Sequence, residues 1–254
     1  MSARRLLSSI LLAALLGGCA IAMAPPRAAI SEEARRAVDL LITRWHAFTD
    51  LRTLADIDVA RSGQRQRLTG VLLARAPGSV RFEALSPFGT PFLFMVVDDG
   101  RLTVYNAATN EAVVGEANAQ TTARLLSLPF DPDELVAVLA GLAVPPKDLR
   151  VAQMMEPDDL GPSITLIGAV NEQRVWMDFA TGVVRRLQIT GGRAAAIITY
   201  RRDGEGALTG FDVDAGSGYV TGSVRYRNLA VGGGVERDRF VLTLPKDAKT
   251  QPIR

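Results

Sequence analysis

The stretch VRFEALSPFGTPFLFMVV, residues 80–97, predicts two β-strands joined by a tight turn. Ser86, Pro87, Phe88 and Gly89 fit the four positions of a type I turn, because Ser can bond the turn backbone, Pro presets φ and Gly suits the last position. A large apolar side chain at the third position is unusual. Phe88 either points into solvent or folds back into the protein, and the turn alone leaves both readings open.

The strand that follows this turn is apolar on both faces. One face carries Phe92, Phe94 and Val96, and the other carries Leu93, Met95 and Val97. A strand of this kind needs cover on both faces, or a ligand on one of them.

The N-terminus resembles a bacterial lipoprotein signal. Arg4 and Arg5 precede an apolar run at 6–16, which is too short to span a bilayer and ends in small residues before Cys19. The alternative is an ordinary signal peptide with an accidental cysteine. The resemblance to a bacterial lipobox implies that residues 1–18 are removed and that Cys19 is lipidated. Because Ala20 rather than Asp follows the cysteine, the same resemblance implies that the protein is sorted to the outer membrane.

Three segments follow from this pattern: a signal peptide at 1–18, a lipidated tether at 19–30 and one domain at 31–254. Removing Arg4 and Arg5 from the 29 basic residues leaves 27, equal to the 27 acidic ones. Because no basic run remains, we expect no nucleic-acid partner. A single cysteine excludes an internal disulfide.

Helical periodicity appears at the start of the domain and again in its middle. Ser31 is a predicted N-cap, followed by an apolar face of Ala34, Val38, Leu41, Trp45 and Phe48. Two more helices are predicted at 119–128 and from 132 to about 142, the second with a capping box.

Strand patterns fill most of the remainder, at 55–59, 67–76, 80–85, 92–97, 101–105, 112–114, 164–167, 174–179, 183–189, 195–201, 222–229 and 240–244. About eleven strands with these helices predict a mainly β, α+β domain. We expect one unclosed, strongly curved antiparallel β-barrel with a helical lid over an apolar cavity.

Catalytic constellations are missing from the sequence. His46, the one histidine, falls on the amphipathic helix, and no nucleophile motif accompanies it. Asp131, Asp133 and Glu134 have the residue types of a metal site, but helix capping explains all three. We therefore expect no enzyme activity, no metal and no cofactor.

The layout resembles the LolB family of outer-membrane lipoprotein receptors, in the superfamily that also contains the periplasmic carrier LolA. The resemblance covers about residues 45–142 and rests on short motifs: LSPFG at 85–89, DG at 99–100, LLSLPF at 125–130 and LVAVLAGL at 135–142. Beyond residue 143 only a strand-rich pattern matches.

This resemblance implies binding of acyl chains in the cavity and a protruding apolar loop that contacts a membrane or partner. The residues of this loop are Leu85, Pro87, Phe88 and Gly89. Because a lipidated Cys19 would hold the domain at a membrane and the resemblance places a protruding apolar residue at position 88, we expect Phe88 to be exposed. We expect the cavity lining to include Trp45, Phe92, Phe94, Val96, Leu125, Leu126, Leu135 and Leu139.

The leading hypothesis is a monomeric, lipid-anchored outer-membrane protein that faces the periplasm and transfers lipoproteins or lipids. A LolA-like carrier is its implied partner. The alternative is a lipid sensor or envelope-assembly protein on the same scaffold, since a fold alone does not fix function.

Overall fold

A computed structural model describes residues 25–126, 128–191, 195–216 and 218–253. The predicted signal peptide and Cys19 lie outside these residues. The described helices are α1 (Glu32–Ala47), α2 (Ala119–Leu126) and α3 (Pro132–Leu139), with a short 3-10 helix at Arg237–Phe240. The strands are β1 (Asp50–Arg61), β2 (Gln64–Arg75), β3 (Ser79–Leu85), β4 (Pro91–Asp98), β5 (Arg101–Asn106), β6 (Glu111–Glu116), β7 (Val151–Asp158), β8 (Gly161–Ile167), β9 (Asn171–Met177), β10 (Val184–Gly191), β11 (Ala196–Arg202), β12 (Leu208–Ala215), β13 (Val220–Val231) and β14 (Lys249–Pro252).

The described strands form one 14-stranded sheet in the order β14-β6-β5-β4-β3-β2-β1-β13-β12-β11-β10-β9-β8-β7. Neighbours are antiparallel except for β14, which runs parallel to β6. Because β7 and β14 end the order without pairing, the sheet is unclosed, which confirms the predicted fold class.

The predicted strand count was too low. The sequence analysis missed β7, β12 and β14, and it placed a strand at 240–244 where the described chain has the end of a 3-10 helix and an irregular segment. β14 carries no large apolar side chain and joins the sheet through its backbone, so no hydrophobic pattern marks it. The second half of β7 contains Pro157 and two acidic residues, Glu156 and Asp158, which are uncommon in strands, so the sequence does not mark it as one.

The turns after β1, β3, β5, β8 and β12 lie at one end of the sheet, which we call the upper rim. Register partners fix this placement, because successive turns of an antiparallel meander alternate between the two ends. The N-terminal segment also reaches the upper rim: the Ala28 N–H donates to the carbonyl of Arg150, just before β7, at 3.0 Å. The chain then crosses to the opposite end through α1.

Helix α1 begins as predicted. The Ser31 hydroxyl accepts a hydrogen bond from the Ala34 N–H, and the helix buries Ala34, Ala37, Val38 and Leu41 against the inner face of the sheet. This face also receives α3 and forms one continuous apolar core. The core fills most of the space that the sheet encloses.

The two apolar faces of β4 have different neighbours. Leu93, Met95 and Val97 lie opposite Ala84, Phe82 and Val80, which belong to the inner core. Phe94 and Val96 lie opposite the charged residues of β3, on the outer face. The expectation that Phe94 and Val96 line the cavity was therefore wrong, because alternation along the strand turns them away from it.

The C-terminal segment, residues 232–253, covers this outer face. Phe240 is 1% exposed beside β3 and β4, and the Arg81 guanidinium donates to the carbonyls of Arg239 and Val241, both at 3.0 Å. Phe94 stacks on Tyr105 with ring centroids 6.0 Å apart. The segment ends as β14 at the edge of the sheet, so both faces of β4 are covered by protein.

Phe240 anchors this cover, which gives a test of the two-sided packing. Phe240→Ala should lower the free energy of unfolding by about 3–5 kcal/mol, the usual cost of deleting a fully buried Phe side chain. The neighbouring Val241 is 62% exposed, so Val241→Ala should change it by less than about 0.5 kcal/mol. Urea unfolding followed by tryptophan fluorescence measures both, and equal effects would contradict this packing.

Candidate functional site

The turn between β3 and β4 has the predicted geometry. The Gly89 N–H donates to the Ser86 carbonyl at 2.9 Å, and the Ser86 hydroxyl accepts from the Thr90 N–H at 3.2 Å. Phe88 is 94% exposed, with Pro87 and Gly89 exposed on either side and Leu85 half-buried at the end of β3. The structure thus confirms the exposure of Phe88 and leaves the role of the loop as a prediction.

Phe88 shares the upper rim with other exposed apolar side chains. Val170, in the β8–β9 turn, is 74% exposed, and Tyr219, in the β12–β13 turn, is 56% exposed. The Arg61 guanidinium lies 5.8 Å from the Tyr219 ring centroid. The rim therefore combines apolar tips with a cationic group.

Helices α2 and α3 are joined by a polar linkage at their N-termini. The Asp131 carboxylate accepts from the Ala119 N–H at the start of α2, at 2.9 Å. The Glu134 carboxylate accepts from the Asp131 N–H at 3.0 Å, which forms the predicted capping-box contact of α3. The buried Thr122 hydroxyl donates to the Phe130 carbonyl at 2.6 Å.

Two tyrosines fix the C-terminal end of α3 to the sheet. The Tyr226 hydroxyl donates to the Leu139 carbonyl at 2.8 Å, and the Tyr200 hydroxyl donates to the Leu142 carbonyl at 3.1 Å. Burial raises the pKa of both tyrosines above the usual 10.0, so both hydroxyls stay protonated as donors. They satisfy carbonyls that a helix end otherwise leaves unpaired.

Helix α2 is held less firmly than α3. The buried residues of α3 are Leu135, Val136, Ala137, Val138 and Leu139, whereas those of α2 are Thr121 and Thr122. Leu125 and Leu126 are only half-buried. Since little apolar surface fixes α2, it is the lid element that moves at lower cost.

Open space flanks α2 on both sides. We call the first pocket, which has a volume of about 500 Å³, the tip pocket. Its lining residues are Val59, Arg61, Ser62, Gln64, Gln66, Leu125, Leu126 and Val220. It lies at the β1–β2 hairpin end of the sheet, and both apolar and polar side chains line it.

The second pocket, of about 510 Å³, we call the lid pocket. Its lining is Ala119, Gln120, Ala123, Arg124, Pro129, Asp131, Glu134, Val170, Asn171, Ile189 and Gly191. Both pockets have volumes in the range of ligand sites. Both also carry charged groups, so the expected wholly apolar cavity is not present as one open chamber.

The predicted lining residues separate into distinct places. Leu125 and Leu126 line the tip pocket, but Leu135 and Leu139 are buried in the core and reach neither pocket. Phe92 packs half-buried against the core, and Trp45 stacks on Phe48 with centroids 6.1 Å apart. Val59, Gln64, Gln66 and Val220 were not among the predicted lining residues. A 2-residue alternation through the β1–β2 hairpin would have placed the first three on the inner face, whereas Val220 joins them only through the pairing of β13 with β1.

Glu134 has an unusual electrostatic position between α3 and β9. Burial and, to a smaller extent, the nearby acids Asp131 and Asp133 raise the pKa of its carboxyl to about 7, while the hydrogen bond from the Asp131 N–H and the charge of Lys147 oppose this rise. Gln173, 2% exposed, donates to the Glu134 carboxylate at 3.4 Å, while its own side-chain oxygen lacks a described partner. The protein therefore holds a carboxyl that changes charge near neutral pH beneath the lid.

Other chemistry is not evident in these parts of the chain. Within the described residues, no three or more His, Cys, Asp or Glu side chains are grouped to hold a metal ion. None of the helices in the described ranges is long and apolar enough to cross a membrane. His46 lies exposed near the end of α1 and lines neither pocket.

Solved structures share this fold. No protein-family model matches the chain, and no curated protein matches it. A putative outer membrane lipoprotein-sorting protein domain from Vibrio parahaemolyticus is similar with a TM-score of 0.55 and 9% identity, over 82% of this chain and 97% of that one. A LolA superfamily protein from Nitrosomonas europaea is similar with a TM-score of 0.54 and 10% identity, over 82% of this chain and 97% of that one.

A DUF1329 family protein from Desulfovibrio piger is similar with a TM-score of 0.59 and 13% identity, over 83% of this chain and 98% of that one. These identities establish a common fold and no more. The structural neighbours include LolA-superfamily proteins, so the fold implied by the sequence resemblance is confirmed.

The raised pKa of Glu134 predicts a loss of stability as pH increases. The folded chain keeps this proton up to about pH 7, whereas an ordinary Glu loses it near 4.5. Folding therefore becomes less favourable between these values and levels off above them. Glu134→Gln should be more stable than the parent by about 1–3 kcal/mol at pH 8.

Urea unfolding at pH 5, 6, 7 and 8 measures this effect. Glu33→Gln makes the same chemical change at an exposed site in the first turn of α1 and should keep the pH dependence of the parent. Parallel pH profiles for the parent and Glu134→Gln would show that Glu134 is not buried as described.

Proposed function

We propose that the mature chain is an outer-membrane lipoprotein, anchored through Cys19 and facing the periplasm, which binds acyl chains beside α2 and passes them into the membrane. The cargo is a lipoprotein or another acylated lipid. One observation carries the proposal: the N-terminal segment, the exposed Phe88 and the tip pocket all lie at the upper rim.

The tether length supports this orientation. The Arg150 guanidinium donates to the Pro25 carbonyl at 3.0 Å, which holds residue 25 beside the upper end of β7. Pro25 lies six positions after Cys19, and six steps of extended chain span at most about 20 Å. A lipid on Cys19 would therefore keep the upper rim close to the bilayer surface.

The space around α2 suits acyl chains. Val59, Leu125, Leu126 and Val220 supply an apolar wall, and displacement of α2 would expose core side chains beneath it. Burial of apolar surface provides about 25 cal/mol per Å², so binding requires neither a cofactor nor an energy source. The structural neighbour from Vibrio parahaemolyticus, a putative outer membrane lipoprotein-sorting protein domain, supports the lipoprotein class of cargo.

Phe88 would contact the membrane during release. Its ring is almost fully exposed at the tip of a turn, and burying a Phe side chain contributes about 1.5–3 kcal/mol. Insertion of this ring into lipid would hold the tip pocket against the acceptor bilayer. A periplasmic carrier of the LolA type is the proposed donor, because both partners would then offer an apolar site to the same acyl chains.

Exchange of Phe88 tests the release step. The full chain, anchored in phospholipid vesicles, is loaded with a fluorescent diacylated peptide, and its transfer into the bilayer is followed. Phe88→Glu should slow release by about 10-fold, because the charge removes the favourable insertion of the ring. The affinity for the peptide should stay within about 2-fold.

Val241→Glu is the matched control, since Val241 is exposed on the C-terminal segment over the outer face rather than at the rim. It should leave both release and affinity unchanged. Release from the Phe88→Glu variant at the parent rate would exclude the proposed role of the loop.

A further inference from the structure

The upper end of β2 is a free strand edge. β2 pairs with β1 along its whole length, from Gln64 to Arg75, but β3 pairs with it only from Gly70 onward. Among the described strands, none pairs with residues 64–69 on the side away from β1. Six residues of a strand span about 20 Å, so this edge is long enough to receive a short extended peptide.

Gly70 marks the point along β2 where the pairing with β3 begins, opposite Ala84 near the end of β3. A Cβ at this position would lie 2.3 Å from the Glu83 carbonyl oxygen, so only glycine allows β2 and β3 to approach so closely. On the other side of Gly70 the two strands separate, because β3 shifts register near Leu85 and enters the Phe88 turn. The free edge and the Phe88 loop therefore lie at the same end of adjoining strands.

The β1–β2 turn fixes which backbone groups point outward. Ser62 and Gly63 both have positive φ, 49° and 81°, as in a two-residue type I′ turn. In such a hairpin the flanking residues, Arg61 and Gln64, exchange hydrogen bonds, and the direction then alternates along β2. Arg65, Arg67 and Thr69 consequently direct their N–H and C=O groups away from β1, toward the free edge.

The side chains of this strand connect the edge to the tip pocket. Gln64 and Gln66 line the pocket with Leu125 and Leu126, while Arg65 and Arg67 lie on the outer face, where both bond the Asp58 carboxylate. A chain lying along the edge would thus start beside the apolar wall.

The other two edges of the sheet are obstructed. Helix α1 packs against β7. This strand also contains Pro157, and its pairing with β8 shifts register between Met155 and Asp158. β14 is four residues long and ends in Pro252. Both features discourage strand addition, whereas the upper part of β2 contains no proline.

We propose that this edge binds the extended N-terminal segment of an acylated protein by β-strand addition, with the acyl chains in the tip pocket. This deepens the proposed function and rests on it for the acyl chains. Main-chain hydrogen bonds recognise a peptide irrespective of its sequence, which suits a receptor of many lipidated chains. The outward backbone N–H and C=O groups of Arg65, Arg67 and Thr69 would form the hydrogen bonds to the peptide.

Self-pairing of two copies is the competing use of such an edge. Antiparallel pairing of two β2 edges would place the Arg65–Arg67 face of one chain against that of the other. The two arginines share the single Asp58 carboxylate, so each edge keeps a net positive charge and like charges would oppose each other. The favoured occupant is therefore a peptide from another kind of chain.

Proline at position 67 tests the proposal directly. Arg67→Pro removes one outward N–H and leaves the backbone hydrogen bonds to β1 intact, whereas Arg67→Ala removes the same side chain, with its bond to Asp58, and keeps the N–H. The full chain in phospholipid nanodiscs is titrated with three probes: a six-residue peptide bearing an N-terminal palmitoyl chain, its analogue with alternate N-methylated amides, and palmitate alone.

Arg67→Pro should bind the acylated peptide about 5- to 10-fold more weakly than Arg67→Ala, because a ladder hydrogen bond is lost and the ring obstructs pairing. The N-methylated peptide should bind both variants equally and weakly. Equal binding of the acylated peptide to both variants would overturn the proposal. Palmitate that fails to bind the parent would instead count against the proposed function.

Hydrogen exchange separates the two outcomes further. The unacylated peptide at high concentration should slow exchange at the amides of Arg65, Arg67 and Thr69, and not at those of Gln64 and Gln66, whose groups face β1. Unchanged exchange at the three outward amides would overturn strand addition even if acyl chains bind.

Discussion

The structure depends on one constraint: β4 is apolar on both faces, so both faces must be covered by protein. Leu93, Met95 and Val97 turn inward to the core beneath the helices, and Phe94 and Val96 turn outward. A sheet with one solvated face needs only the first cover. Here the C-terminal segment supplies the second, with Phe240 buried against the strands and β14 closing the segment on β6.

The C-terminal segment covers the outer face, and the core fills the inner face except for the space beside α2. The proposed acyl binding is therefore confined to that space and to the upper rim. There the two lid helices differ in attachment. Tyr200 and Tyr226 bond the end of α3 to the sheet, while α2 is held mainly through Thr122 and Asp131. An acyl chain that entered beside Leu125 and Leu126 would displace α2 and leave α3 in place.

Glu134 adds a polar element to this interior. Its carboxyl caps α3, accepts from Gln173 and has a pKa of about 7 because it is buried. The charge at this position therefore changes near neutral pH, in the wall of the lid pocket. Burial of this carboxylate costs stability, whereas its hydrogen bond from the Asp131 N–H caps α3.

Sequence patterns predicted the fold class, the helices and the exposed turn because these depend on local chemistry. Ser31, the capping box at Asp131 and the Ser86–Gly89 turn each carry their own signal. Which face of β4 points inward could not be predicted, since both faces are equally apolar and the answer depends on Phe240, almost 150 residues away. The tip pocket was missed for the same reason: Val59 and Val220 meet only through pairing of β1 with β13.

Native mass spectrometry of the full chain, extracted from its own membrane, tests the central claim most directly. The account predicts a non-covalently bound acyl-containing ligand, separable from the acyl groups on Cys19 by denaturation, and depleted in a Leu125→Asn, Leu126→Asn double variant. Extraction of the parent chain without such a ligand, or equal occupancy in the double variant, would contradict it.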